Sequence, residues 1–286
     1  MTTKSKFVIR IAIVIIIISI TLQFSGCSES AINNIVSNEL TAKQRLESAI
    51  TQAKTTYGDS TRLVLIFGKN VNSSGRTEIS AISAITNPDS IGAWLYIFRA
   101  PADTSLKIYT PNPLPTASDC IELTAFFSTN TLLNLIQDTS AKNIIAGALA
   151  LLTTSNVNIT TSASALIDSD VSLNYANTTN PIIKFNSSYI PDTSSLNGNT
   201  FFTTGSNKSI NMFLIPAAGT LNLPQFITSL TGFPADLWVV NYKKLNSSNQ
   251  TENLILGTVV ESSQQMGVPL IGITSKVINL SKYVSE

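Results

Sequence analysis

The sequence predicts an α+β protein: two small helix-plus-antiparallel-sheet modules, joined by a helical segment. Three observations lead there. Apolar residues recur at spacings of three and four from Thr41 to Tyr57, the period of an amphipathic helix. Gly92–Phe98 alternates as a strand does, with Trp94, Tyr96 and Phe98 on one side and Leu95 and Ile97 on the other. Much later, Trp238-Val-Val240-Asn-Tyr242 repeats the pattern of Trp94-Leu-Tyr96-Ile-Phe98, each followed by a polar turn and a second apolar strand. A helix leading into strands, met twice, is the arrangement in which a helix covers one face of a small antiparallel sheet.

The chain opens with Lys4, Lys6 and Arg10, then an apolar run from Ile11 to Leu22. The run has the length of a signal-peptide core and falls short of a spanning helix. Phe24-Ser25-Gly26-Cys27 resembles the bacterial lipobox, whose cysteine is lipidated and becomes the new N-terminus; Phe24 stands where an aliphatic residue is usual. The resemblance implies a signal peptide over 1–26, a lipid on Cys27 (palmitate among its acyl chains), a polar tether over 27–40, and a periplasm-facing protein of the cell envelope. Ser28 is not the aspartate that retains some bacterial lipoproteins at the inner membrane, which favours the outer membrane.

The first module spans 41–116. Ala42, Leu46, Ala49, Ile50, Ala53 and Tyr57 make one apolar helix stripe, which Gly58 and Asp59 end. Leu63–Phe67 is a continuous apolar run, consistent with a buried strand, and Asn70–Gly75 is a turn. Thr77–Ile85 fits strand or helix, and Asn87–Ser90 is a turn. Leu106–Tyr109 returns beside Gly92–Phe98 as a hairpin, and Pro111, Pro113 and Pro115 close the module.

A connector over 117–160 follows. Asp119 with Glu122 reads as a capping arrangement before a helix through Leu123, Phe126 and Phe127; Ala141–Leu152 reads as a buried helix. The second module spans 161–286. Asp168 or Ser169 caps a short helix with Val171, Leu173, Tyr175 and Ala176. Pro181–Phe185, Thr200–Thr203, Ile210–Ile215, Leu237–Tyr242 and Leu254–Val260 read as strands, and Asn186–Asn199 as a loop. Leu223–Thr231 reads as one or two helical turns; Val268–Val284 has no assignment.

Leu166-Ile-Asp168-Ser169-Asp170-Val-Ser-Leu173, with Ala176 nearby and a Trp strand downstream, resembles the PepSY-like modules of bacterial exported lipoproteins over 168–260, and more faintly over 41–110. The resemblance implies a small binding or regulatory module rather than an enzyme, and carries no ligand set with it.

Composition narrows the chemistry. The chain has 286 residues, of which 12% are charged, with a net charge of +1. That balance gives no electrostatic footprint for nucleic acid, and Ser, Thr and Asn make up the polar surface. There is no histidine, which removes Ser-His-Asp and Cys-His catalysis and histidine-based zinc sites. With Cys27 lipidated, Cys120 has no partner for an intrachain disulfide.

Trp94, Tyr96, Phe98, Trp238 and Tyr242 read first as core packed beneath the helix; they are also the candidate ligand surface, offering rings on which a sugar or peptide stacks. Asp168-Ser169-Asp170 is a helix cap or a calcium ligand set, with the cap favoured. Glu47, Asp59, Glu78 and Asp103 are scattered acids among which sequence selects no glycosidase pair. Asn72, Asn158, Asn186 and Asn246 begin Asn-x-Ser/Thr triplets. No metal, cofactor or catalytic residue is expected. The expected function is a lipid-anchored envelope protein that binds a protein, peptide or glycan without catalysis. The alternatives are a cell-wall-active hydrolase with paired carboxylates and a surface adhesin or assembly subunit.

Overall fold

The short apolar runs, rich in β-branched and aromatic residues, fold as strands, and ten of them join a single sheet. The computed structural model describes residues 38–79, 92–100, 106–112, 119–124, 139–154, 166–185, 188–191, 196–216, 237–259 and 276–280. The N-terminal segment with Cys27, the turn at 87–90, the span 125–138, the stretch at 223–231 and the sequons at Asn158 and Asn186 lie outside the described residues.

In chain order the strands are β1 (Asn38–Leu40), β2 (Arg62–Lys69), β3 (Thr77–Ile79), β4 (Ala93–Arg99), β5 (Leu106–Pro111), β6 (Cys120–Glu122), β7 (Ile182–Phe185), β8 (Ser188–Pro191), β9 (Ser206–Ile215), β10 (Leu237–Leu245), β11 (Thr251–Val259) and β12 (Lys276–Asn279). The helices are α1 (Leu46–Tyr57), α2 (Thr139–Thr154), α3 (Ser169–Thr178) and α4 (Gly198–Phe201). The architecture is α+β. The sheet order is β6-β5-β4-β2-β9-β10-β11-β12-β7-β8, and β1 pairs with β3 in a separate two-stranded sheet.

The strands of the two halves do not form separate sheets. β2 and β9 are antiparallel neighbours at the centre, with Ile66 opposite Leu214, Phe67 opposite Phe213 and Gly68 opposite Met212. Leu63–Phe67 of β2 is buried throughout. A strand apolar on both faces belongs in a sheet interior, with neighbours on both sides.

One face of the sheet carries α1, α3 and α4. Leu46, Ala49, Ile50 and Ala53 of α1 are buried, in one cluster with Leu63, Ile66, Trp94, Tyr96, Phe98, Leu173, Ala176, Met212, Leu214, Trp238 and Tyr242. The opposite parity of the same strands, Leu65, Phe67, Leu95, Ile97, Phe213, Leu237 and Val239, is also buried. α2 lies against β2, with Ile145 and Leu149 buried.

Local differences from expectation have identifiable causes. α1 begins at Leu46 rather than Thr41: the residues before it form tight turns, Gln44 N–H donating to Thr41 O and Leu46 N–H to Lys43 O, while the N–H groups of Ala42 and Lys43 donate to Ser169 Oγ and Asp168 Oδ1. The helix expected after Asp119 is corrected at its start: Cys120–Glu122 is β6, paired with β5. The Asp119 carboxylate goes to Arg45 and Ser48 and that of Glu122 to tyrosines, so neither serves as a cap. Thr200–Thr203 is not a strand: Asn197 accepts from the N–H of Thr200 and caps α4. Within Asn186–Asn199, expected as loop, β8 pairs with β7. In the unassigned tail, β12 joins β11 on one side and β7, in parallel, on the other.

Candidate functional site

The aromatic stripes are brought together, inside the molecule. Trp94 and Trp238 are the second residues of β4 and β10, and their rings meet edge to face with centroids 6.1 Å apart. Such a pair adds about 0.5–1.5 kcal/mol beyond its buried area. Each indole satisfies its one donor in the same way: Trp94 Nε1 donates to Leu40 O at 2.7 Å, and Trp238 Nε1 to Ile167 O at 2.9 Å. Both acceptors lie just before the turn or helix that follows. Tyr96, Phe98 and Tyr242 complete the set, and none of the five is more than 1% exposed. As a solvent-facing ligand surface, Trp94, Tyr96, Phe98, Trp238 and Tyr242 are therefore corrected: the rings fill the space between sheet and helices. Alternation alone could not tell these cases apart, since it fixes which side chains share a face but not what covers that face.

Burial governs the tyrosines. Desolvation pushes the Tyr96 and Tyr242 hydroxyls well above the usual tyrosine range. Tyr242 donates to Asn177 Oδ1 at 2.8 Å. Gly198 makes room for this contact, because a Cβ there would overlap the Tyr242 ring end and Asn177.

Asp168 sits where the starts of the two long covering segments meet. Its carboxylate accepts from Ser169 N at 2.8 Å, Thr41 Oγ1 at 2.7 Å and Lys43 N at 3.1 Å. Ser169 Oγ donates to Gly75 O at 2.7 Å. Three donors on one carboxylate make Asp168 a helix cap and a tie between distant segments. Asp170 turns to its own helix, accepting from Val171 N. No group of three or more potential metal-ligating side chains occurs among the described residues.

A second polar cluster lies at the β6 edge and has no signal in the sequence. Glu122 accepts from Tyr57 Oη and, at 3.2 Å, from Tyr109 Oη. Lys107 Nζ stands 4.6 Å from the centre of the Tyr57 ring. Burial works to raise the Glu122 carboxyl, but hydrogen bonds from Thr124, Tyr57 and Tyr109 and the Lys107 charge outweigh it, so the group is held below its usual value. A glycosidase acid needs the reverse, a raised carboxyl. Burial pushes Tyr109 up to about 12. Of the four scattered acids, Glu47 and Asp59 are exposed, Glu78 lies on β3, and Asp103 is outside the described residues.

Lys244 is nearly enclosed. It donates to Phe201 O at 2.8 Å and Thr204 Oγ1 at 3.0 Å, lies 4.3 Å from the Phe201 ring centre, and is 3.4 Å from Glu252 Oε2. These bonds hold α4 to the sheet. Cys120 is buried, with Sγ 3.5 Å from Arg45 O, and burial pushes its thiol up to about 12. A thiol in that state is not a nucleophile at neutral pH.

Asn72 and Asn246 head two turns of one design. Asn72 Oδ1 accepts from Ser74 N and Arg76 N, and Asn246 Oδ1 from Ser248 N and Gln250 N. Gly75 and Asn249 take the positive-φ position, as such turns require. No helix among the described residues is long and apolar enough to cross a membrane.

No protein-family model matches the sequence, no curated protein matches it, and no solved structure matches its fold.

Proposed function

We propose that the protein is an exported, lipid-anchored component of a bacterial cell envelope with a non-enzymatic binding or structural role. The observation that carries the reading is the order Lys4/Lys6/Arg10, apolar Ile11–Leu22, then Phe24-Ser25-Gly26-Cys27. Several acyl chains on Cys27 anchor stably, since each buried methylene contributes about 0.8 kcal/mol. Ser28 favours the outer membrane. The partner is a protein, peptide or glycan, with no nucleic acid and no cofactor.

The body behind the anchor is read as two tandem α+β units, PepSY-like in their helix-and-Trp-strand pattern. Support comes from the sheet order, in which β2-β4-β5-β6 and β9-β10-β11-β12 run outward from the centre in the same sequence. It comes also from three like-for-like contacts between the halves: Phe67 with Phe213, Trp94 with Trp238, and Thr41 with Asp168. Such self-pairing is what a two-fold relation produces. Against the paired-carboxylate hydrolase alternative stands Glu122, whose carboxyl is held below its usual value, where a general acid is raised. Mass spectrometry of the mature protein tests the anchor. The expected product is a diacylated or triacylated Cys27 as first residue, and an unmodified N-terminus at any other position contradicts it.

A further inference from the structure

Lys244, Glu252 and Asn246 form a polar relay where β10 enters its turn. Lys244 faces Glu252 across the β10–β11 register, and Asn246 stands two residues after Lys244. The Glu252 carboxylate spans the other two side chains. Its Oε2 is 3.4 Å from Lys244 Nζ, and its Oε1 accepts from Asn246 Nδ2 at 3.1 Å. One carboxylate thus holds an amine on one oxygen and a carboxamide on the other.

The carboxamide is polarised. Asn246 Oδ1 accepts at 2.9 Å from both Ser248 N and Gln250 N. Two main-chain N–H groups on one carbonyl oxygen stabilise the negative charge that an attack at carbon would place there. They also fix which atom is the oxygen, so Nδ2, on Glu252, is the leaving group. The amine is enclosed: Lys244 is 5% exposed. Its ammonium has three N–H donors. Two are taken by Phe201 O and Thr204 Oγ1, which leaves the third for Glu252. Loss of that proton opens the nitrogen lone pair on the side where Glu252 holds the carboxamide. A desolvated lysine beside a base is an activated nucleophile. The Asn72 turn lacks this: its Oδ1 also accepts from two main-chain N–H groups, but the residue two before it is Asn70.

We propose that Lys244 and Asn246 condense into an internal amide, with Glu252 carrying the protons. Glu252 takes a proton from Nζ. The Nζ lone pair forms a bond to Asn246 Cγ, and the carbonyl electron pair moves onto Oδ1. Glu252 then protonates Nδ2, the carbonyl re-forms, and the Cγ–Nδ2 bond breaks. Ammonia leaves past Glu252, whose side chain is 43% exposed. Glu252 takes the second proton from Nζ and passes it to the ammonia. The balance is one ammonium released for one amide formed, with no oxidant and no cofactor.

The test is a tryptic map of the full chain by mass spectrometry. Trypsin does not cut after an acylated lysine. The expected product is a peptide of residues 244–276, lighter than its sequence by one ammonia, with fragmentation placing the loss between Lys244 and Asn246. The peptide of residues 70–76, which holds the Asn72 turn, keeps its sequence mass. Glu252→Gln and Lys244→Arg each yield residues 245–276 at full sequence mass, with thermal melts showing that both variants fold. Full sequence mass at Asn246 in the parent overturns the proposal, and this measurement stands whatever the stability of the variants. Loss of ammonia that persists in folded Glu252→Gln overturns it as well. Conversion of Asn246 to aspartate in the parent overturns it in favour of water as the nucleophile.

Discussion

Phe67 and Phe213 stack across the middle of the sheet, with ring centroids 4.8 Å apart and planes 3° from parallel. Their Cα atoms are direct partners in the β2–β9 register, and both side chains are fully buried. The pair joins strands that are more than a hundred residues apart in sequence. Replacing either ring with alanine is expected to destabilise the protein by about 3–5 kcal/mol. The double replacement costs less than the sum, since the rings touch. Urea unfolding of the two single variants and the double variant measures both quantities.

The two tryptophans are expected to behave alike. Phenylalanine at 94 orphans the Leu40 carbonyl and at 238 the Ile167 carbonyl. A fully buried unsatisfied acceptor costs about 1–3 kcal/mol, and these two bonds are part-buried. Trp94→Phe and Trp238→Phe are therefore expected to lower stability by similar amounts in denaturant titrations.

How much of this was legible follows from what each residue touches. β4, β10 and the stripe of α1 could be read because their periods are set by one buried face each, and the Trp94/Trp238 correspondence could be read because both strands start alike. The join of β2 to β9 could not: both strands are apolar on both faces, so no alternation marks a partner. Asp119 and Glu122 have cap spacing, but Arg45, Tyr57 and Tyr109 claim their carboxylates, and those partners are distant in sequence. Thr200–Thr203 looks like a strand until Asn197 caps the turn before it. For the aromatic set, alternation marks the shared face, and α1, α3 and α4 cover it. The anchor signal at Cys27 is local in sequence and owes nothing to the fold.

Glu122 gives the protein an acid-sensitive tie. Its carboxyl lies below the ordinary 4.5 in the folded state, so the stabilisation it supplies is present above about pH 4.5. It is lost as the pH falls through the lower folded value. Glu122→Gln is expected to remove this part of the acid transition, leaving a variant less stable than the parent at pH 7 and equal to it once the parent is protonated. Thermal melts from pH 7 down to pH 2 check the convergence; a constant gap across that range contradicts it.

Cys120 is expected to resist alkylation. Its thiol is buried and pushed up to about 12, and the thiolate is the reactive form. Iodoacetamide at pH 8 leaves Cys120 unmodified in the folded protein and labels it fully in denaturant, as read by peptide mass spectrometry.

Both halves of the chain build one sheet through β2 and β9. Interstrand backbone nuclear Overhauser contacts between residues 66–68 and 212–214 measure this join. The expected contacts follow the register Ile66–Leu214, Phe67–Phe213 and Gly68–Met212. Strands β2 and β9 showing contacts only within their own halves would contradict it.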